Sequence, residues 1–108
     1  MNGNQKSPME LLKHFAPEYA ENQMQEKSLI FENEKYQKVP NKYKILVGIG
    51  VAAALGSETC TIMWTKMAKQ NGVTNEEIVE AMQVARYMKQ ATVNDTIANS
   101  LKILMDDK

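Results

Sequence analysis

Apolar positions along the chain recur every three or four residues, and a few punctuation residues interrupt them. Ser7-Pro8-Met9-Glu10 reads as a capping box: Ser7 accepts from the third amide, Pro8 needs no amide partner at the first helical position, and Glu10 reaches back. A short helix carrying Met9, Leu11, Leu12 and Phe15 follows. Pro17 disfavours helical geometry at Ala16, so the helix breaks there and restarts through Glu18 to about Glu32, anchored by Tyr19, Leu29, Ile30 and Phe31. Val39-Pro40-Asn41 punctuates before a third helix, whose "ILVGIGVAAAL" is apolar on every side and holds small residues at Gly48, Gly50, Ala52, Ala53 and Ala54 that permit close helix approach. Its length and its alanine block favour helix over strand, and Gly56 ends it.

Ser57 is a good N-cap for a fourth helix that runs to Asn71-Gly72, a left-handed C-terminal signal. Thr74-Asn75-Glu76-Glu77 is a second capping box, opening a helix with Ile78, Met82 and Ala85 on one face and an end near Gln90. Asn94-Asp95 then reads as the start of a last helix carrying Ile97, Leu101, Leu104 and Met105. No strand pair, repeat or low-complexity tract is found, so the fold class is all-α, a single domain over residues 1–108 with residues 1–6 frayed.

Composition narrows the partners. Thirteen basic side chains against thirteen acidic ones leave no electrostatic footprint for nucleic acid or an anionic membrane. The run from Ile45 to Leu55 is too short to cross a bilayer and reads as a core helix. Eight methionines predict flexible core fillers and adaptable interfaces. With one cysteine there is no internal disulfide and no cysteine zinc cluster, and the N-terminus reads as no signal peptide, so a reducing cytoplasm is expected. No cofactor-binding or metal-ligand motif is read. A chain this short covers such an apolar central helix poorly by itself, which points to a homo-oligomer.

The candidate chemistry centres on Cys60, at the third position of the fourth helix, where free amides and the helix dipole favour a thiolate. Glu58 in the same turn opposes that charge, and Trp64, four residues on, shares the face and is expected to cover the thiol. On local residues alone, a small buried cysteine packed under Trp64 is favoured over a reactive thiol. His14, the lone histidine, reads as a solvated helix residue, and Glu76 and Glu77 read as first-turn caps rather than metal ligands. Tyr36, Tyr43 and Tyr87 fit a pocket or an interface equally well.

The order of an apolar helix, a small-residue turn, a Cys-bearing helix with "AKQNG" and then "VTNEEIVEAMQVA" resembles the carboxymuconolactone decarboxylase and alkylhydroperoxidase D superfamily. The resemblance runs from about Asn41 to Ala85, is most specific from Ala68 to Ala81, and agrees more weakly around "HFAPEYAENQ". It implies an alkylhydroperoxidase D-like helical domain assembled as a trimer or hexamer, with an antioxidant, peroxidase-type oxidoreductase activity on a small-molecule or thiol substrate. By position the family's second cysteine falls on Cys60, its first cysteine on Ser57, its relay histidine on Trp64 and its upstream glutamate near Lys44 or Ile45. Three functions follow. One is a one-cysteine redox activity of Cys60 assisted by Ser57, with Trp64 and Glu58 lining the pocket. Another is a non-catalytic oligomeric binding or scaffold protein. The last is a decarboxylase of a small cyclic acid, with His14 or Arg86 supplying the base.

Overall fold

The computed structural model describes residues 6–107 and contains five α-helices, one 3₁₀ turn and no strand among the described residues. Most of the frayed segment expected at residues 1–6 lies outside them. The chain divides into two compact units, residues 1–41 and 42–108.

The first unit holds α1 (Pro8–Phe15), α2 (Pro17–Phe31) and a 3₁₀ turn (Glu34–Tyr36). Ser7 accepts from the Glu10 amide at 3.2 Å and starts α1. Ala16, forced out of helical geometry before Pro17, sits at φ −146° and ψ 72° and separates the two helices. Carbonyls left open at the end of α2 are met by side chains: the Gln37 amide donates to the Ile30 carbonyl, and also to that of Asn33 beyond the helix, and the Asn41 amide donates to the Phe31 carbonyl. Only Ala20 of this unit is buried among the described residues, while Phe15 and Tyr19 are 83% and 71% exposed.

The second unit holds α3 (Asn41–Ala54), α4 (Glu58–Gln70) and α5 (Asn75–Asp106). Two glycine turns join them, and they are built alike. Gly56 at φ +79° donates to the Ala53 carbonyl while Ser57 N–H reaches the Ala52 carbonyl. Gly72 at φ +78° donates to Lys69 while Val73 N–H reaches Ala68. Both are Schellman ends, which need a left-handed residue and so select glycine. At the second, Val73 and Ala68 are both fully buried, the apolar contact that accompanies this motif.

The core consists of Ile45, Ile49 and Ala52 from α3, Ala68 from α4, Val73, and Ile78 and Ala85 from α5. Gly50 brings the helices close, since a Cβ there would lie 3.8 Å from the Ala81 carbonyl oxygen and 3.9 Å from the Ala85 Cβ. The other side of α3 is bare: Tyr43, Val47, Val51 and Leu55, spaced by four, are all exposed. No described methionine is buried, so the core is built from isoleucine, valine and alanine rather than from the methionine fillers that composition predicted.

The expected break between two C-terminal helices is absent. α5 is continuous over 32 residues, about 48 Å at 1.5 Å per residue. Asn94 and Asp95 have good N-cap side chains, but nothing before them stops the helix: neither Gly nor Pro occurs after Gly72. The hydroxyls of Thr92 and Thr96 bond back to the Lys89 and Thr92 carbonyls inside the same helix.

Candidate functional site around Cys60

The Gly56 turn delivers Ser57 to the N-cap of α4, with φ −92° and ψ 96°. Its Oγ accepts from the Cys60 amide at 3.3 Å, and its carbonyl accepts from both the Thr61 amide and the Thr61 hydroxyl. Ser57 is therefore engaged as a cap, and the N–H of Cys60 itself is directed to that hydroxyl. Glu58 occupies the same first turn, where its charge suits the helix dipole and opposes a neighbouring thiolate.

The thiol of Cys60 is exposed, which corrects the expectation of a cysteine buried under Trp64. Of α4 only Ala68 is buried, with Thr61, Trp64, Thr65 and Met67 half-buried; at 100° per residue Cys60 projects between the directions of Trp64 and Met67, yet in the first turn of the helix it is exposed. The indole finds its packing elsewhere, on the bare Cα of Gly48 in α3. A Cβ built on Gly48 would stand 2.5 Å from two carbons of the Trp64 six-membered ring. Sharing a face at i and i+4 was thus the right spacing and the wrong partner.

Ser57, Glu58 and Cys60 come together in one turn, with Trp64 one turn further on. The positions near which the family's glutamate falls hold Lys44 and Ile45, the latter a fully buried core side chain. His14 lies in the last turn of α1, its ring edge-on to Phe15 at 4.8 Å. Arg86 donates to Gln83 on its own helix at 2.6 Å. Among the described residues no group of three or more His, Cys, Asp or Glu side chains could hold a metal ion, and no helix is long and apolar enough to cross a membrane. A shallow groove along α2, between Glu21 and Asn33, contains none of these candidates.

Sequence reasoning missed one ionic contact, at the opposite end of α4 from Cys60. Glu77 accepts from the Thr74 amide and hydroxyl, completing the second capping box, and also pairs with Lys42 at the start of α3. The Lys42 ammonium and the Thr74 backbone amide hold the Glu77 carboxyl at about 2, well below its ordinary 4.5, and the same bond raises Lys42. The capping box was legible. The cation arriving from another helix had no local signal.

The helix order, the two glycine turns and a cysteine in the first turn of α4 are the features that drew the family resemblance, and comparison with family sequence models agrees with them. The model of the carboxymuconolactone decarboxylase family matches residues 17–97. The chain belongs to that family. The match begins earlier and ends later than the Asn41 to Ala85 core of the resemblance, taking in α2 and most of α5. Neither a curated protein nor a solved structure gives a significant match. Within this family the present chain keeps one cysteine and carries Ser57 and Trp64 where the resemblance places a second cysteine and a histidine.

Proposed function

We propose that this member of the carboxymuconolactone decarboxylase family is a one-cysteine, thiol-dependent peroxidase acting through Cys60. The observation that carries the reading is the exposure of the thiol in the first turn of α4, open to both a peroxide and a second thiol. The Cys60 thiolate attacks one oxygen of a peroxide ROOH, the O–O bond breaks, and ROH leaves once the departing oxygen takes up a proton. Sulfur is oxidised to a sulfenic acid. Because Ser57 cannot close a disulfide, an external thiol condenses with the sulfenic acid, releasing water and leaving a mixed disulfide, and a second external thiol then frees Cys60. Ser57 fixes the helix end from which the thiol projects, and Trp64 and Glu58 border the approach to it. A cytoplasmic location and a trimeric or hexameric assembly belong to the same reading, the latter supported by the bare Tyr43–Val47–Val51–Leu55 face of α3.

The test is consumption of a small organic peroxide with a monothiol reductant, comparing the native protein with Cys60→Ser. Turnover that disappears in the variant supports the proposal, and equal consumption by both proteins removes it. A second reading, a non-catalytic oligomeric scaffold, draws on the indole of Trp64: where the resemblance places a proton-relaying histidine, this chain carries a ring used for packing on Gly48. Decarboxylation of a small cyclic acid has no comparable support, since Arg86 is bonded to Gln83 and His14 packs against Phe15.

A further inference from the structure

The second half of α5 is exposed throughout. From Thr92 to Asp107 every residue is exposed. Yet the segment is amphipathic: Val93, Ile97, Leu101, Leu104 and Met105 wind along about a third of the helix circumference and are 40–84% exposed. Asp95, Asn99, Lys102 and Asp106 occupy the opposite side, where Ile103 is the one apolar residue. An isolated helical extension of this kind is marginal in water, and burying its apolar stripe is what would stabilise it. Most of the stripe lies past the end of the family match at residue 97.

Three features specify the occupant. First, Val93, Ile97, Leu101 and Met105 are spaced by four throughout, so the row reads the same in both directions about Asn99. An antiparallel copy of it sets Val93 against Met105 and Ile97 against Leu101, with no polar side chain in the row. Second, α5 ends at Asp106, is followed by Asp107 as its C-cap and has no basic residue in its last turn, so two carboxylates lie at the negative end of the helix dipole uncompensated by that turn. Third, Lys89 stands 18 residues before Asp107, five whole turns, and therefore on the same flank of the stripe. A two-fold axis between the helices at the level of Asn99 brings the same flanks of the two helices together. It sets Lys89 of one copy within two residues, about 3 Å along the axis, of the level of the partner's Asp107. A parallel pair would instead set Lys89 level with Lys89 and Asp107 level with Asp107. A standard interface removes about 800 Å² from each partner, and these five exposed side chains contribute the apolar part of such an area.

We propose that the C-terminal half of α5 is a self-association face on which a second copy of this chain docks its own α5 antiparallel, centred on Asn99. The inference rests on the homo-oligomer reading above and not on the thiol chemistry. It is tested on the full chain by sedimentation equilibrium and by cysteine pairing. In a Cys60→Ser background, Ile97→Cys and Leu101→Cys proteins are mixed and oxidised. The antiparallel register gives the mixed Ile97→Cys to Leu101→Cys disulfide as the dominant product. Leu101→Asp is expected to weaken association at least tenfold with helicity by circular dichroism unchanged. Should that variant lose helicity, the charges decide: Lys89→Glu weakens association severalfold, and Lys89→Glu with Asp107→Lys restores it. An oligomer that persists without the mixed disulfide overturns this face and leaves the homo-oligomer reading standing. A monomer at all concentrations overturns both.

Discussion

Two glycines lie two residues apart in α3, and the structure assigns opposite outcomes to the same substitution. At Gly50 a new Cβ meets its nearest neighbours at 3.8 and 3.9 Å, an ordinary van der Waals contact. Gly50→Ala therefore collects the helix propensity difference, about 1 kcal/mol of stabilisation, without strain. At Gly48 the new Cβ falls 2.5 Å from two carbons of the Trp64 ring, roughly 1 Å inside the optimum separation of carbon atoms. The ring is rigid, so α3 and α4 must part or the indole must leave its site. Overpacking of this kind costs about 1–3 kcal/mol, and after the propensity gain Gly48→Ala is expected to destabilise by about 1–2 kcal/mol. The clash needs the ring. In a Trp64→Ala background Gly48→Ala should become stabilising by up to about 1 kcal/mol, a coupling of about 2–3 kcal/mol. Urea unfolding followed by circular dichroism at fixed protein concentration measures all five proteins, because an associating chain changes apparent stability with concentration. If Gly48→Ala stabilises as Gly50→Ala does, or if its cost is unchanged without Trp64, the indole does not pack where the argument places it.

Other expectations follow from the turns and the charge pair. Glu77 titrates at about 2 when folded against an ordinary 4.5, so below pH 4.5 the unfolded chain binds the extra proton. The contribution of Glu77 is complete above about pH 4.5 and lost as the pH falls towards 2, and Glu77→Gln should flatten that limb of the thermal stability profile. The Lys42 side has the opposite sign: its pKa is raised above 10.5, so its contribution is complete below that value and is lost as the pH rises past it. Gly72→Ala places a Cβ on a residue at φ +78° with open space around it, so strain alone acts and the cost should be about 1–2 kcal/mol by urea unfolding. A neutral effect would show that the turn relaxes out of the left-handed region.

The elements were legible where one local signal settles them. Pro17 forces Ala16 out of the helix, Gly56 and Gly72 supply the positive φ of two Schellman ends, and Ser7, Ser57 and Thr74 cap the helices that follow them. The small residues of α3 also announced close packing, although not that Gly48 would meet Trp64. What failed was inference by spacing alone. Asn94-Asp95 has the composition of a helix start, but a running helix is stopped by a missing amide or a left-handed residue, and neither is present. Cys60 and Trp64 share a face in spacing, yet what covers that face comes from neighbouring helices, which no i to i+4 rule contains. The Lys42–Glu77 pair joins residues 35 positions apart in sequence, and nothing local to either announces the other.

The central claim is that Cys60 is an accessible, reactive thiol in the first turn of α4. It is tested most directly by the rate of alkylation of the native protein from pH 5 to 9, with unfolded protein as the reference and Cys60→Ser as the blank. The account predicts that the folded protein reacts at least as fast as the unfolded one at neutral pH. A thiol that reacts only after unfolding would contradict the exposure of Cys60 and the peroxidase reading together, and would leave the scaffold reading in its place.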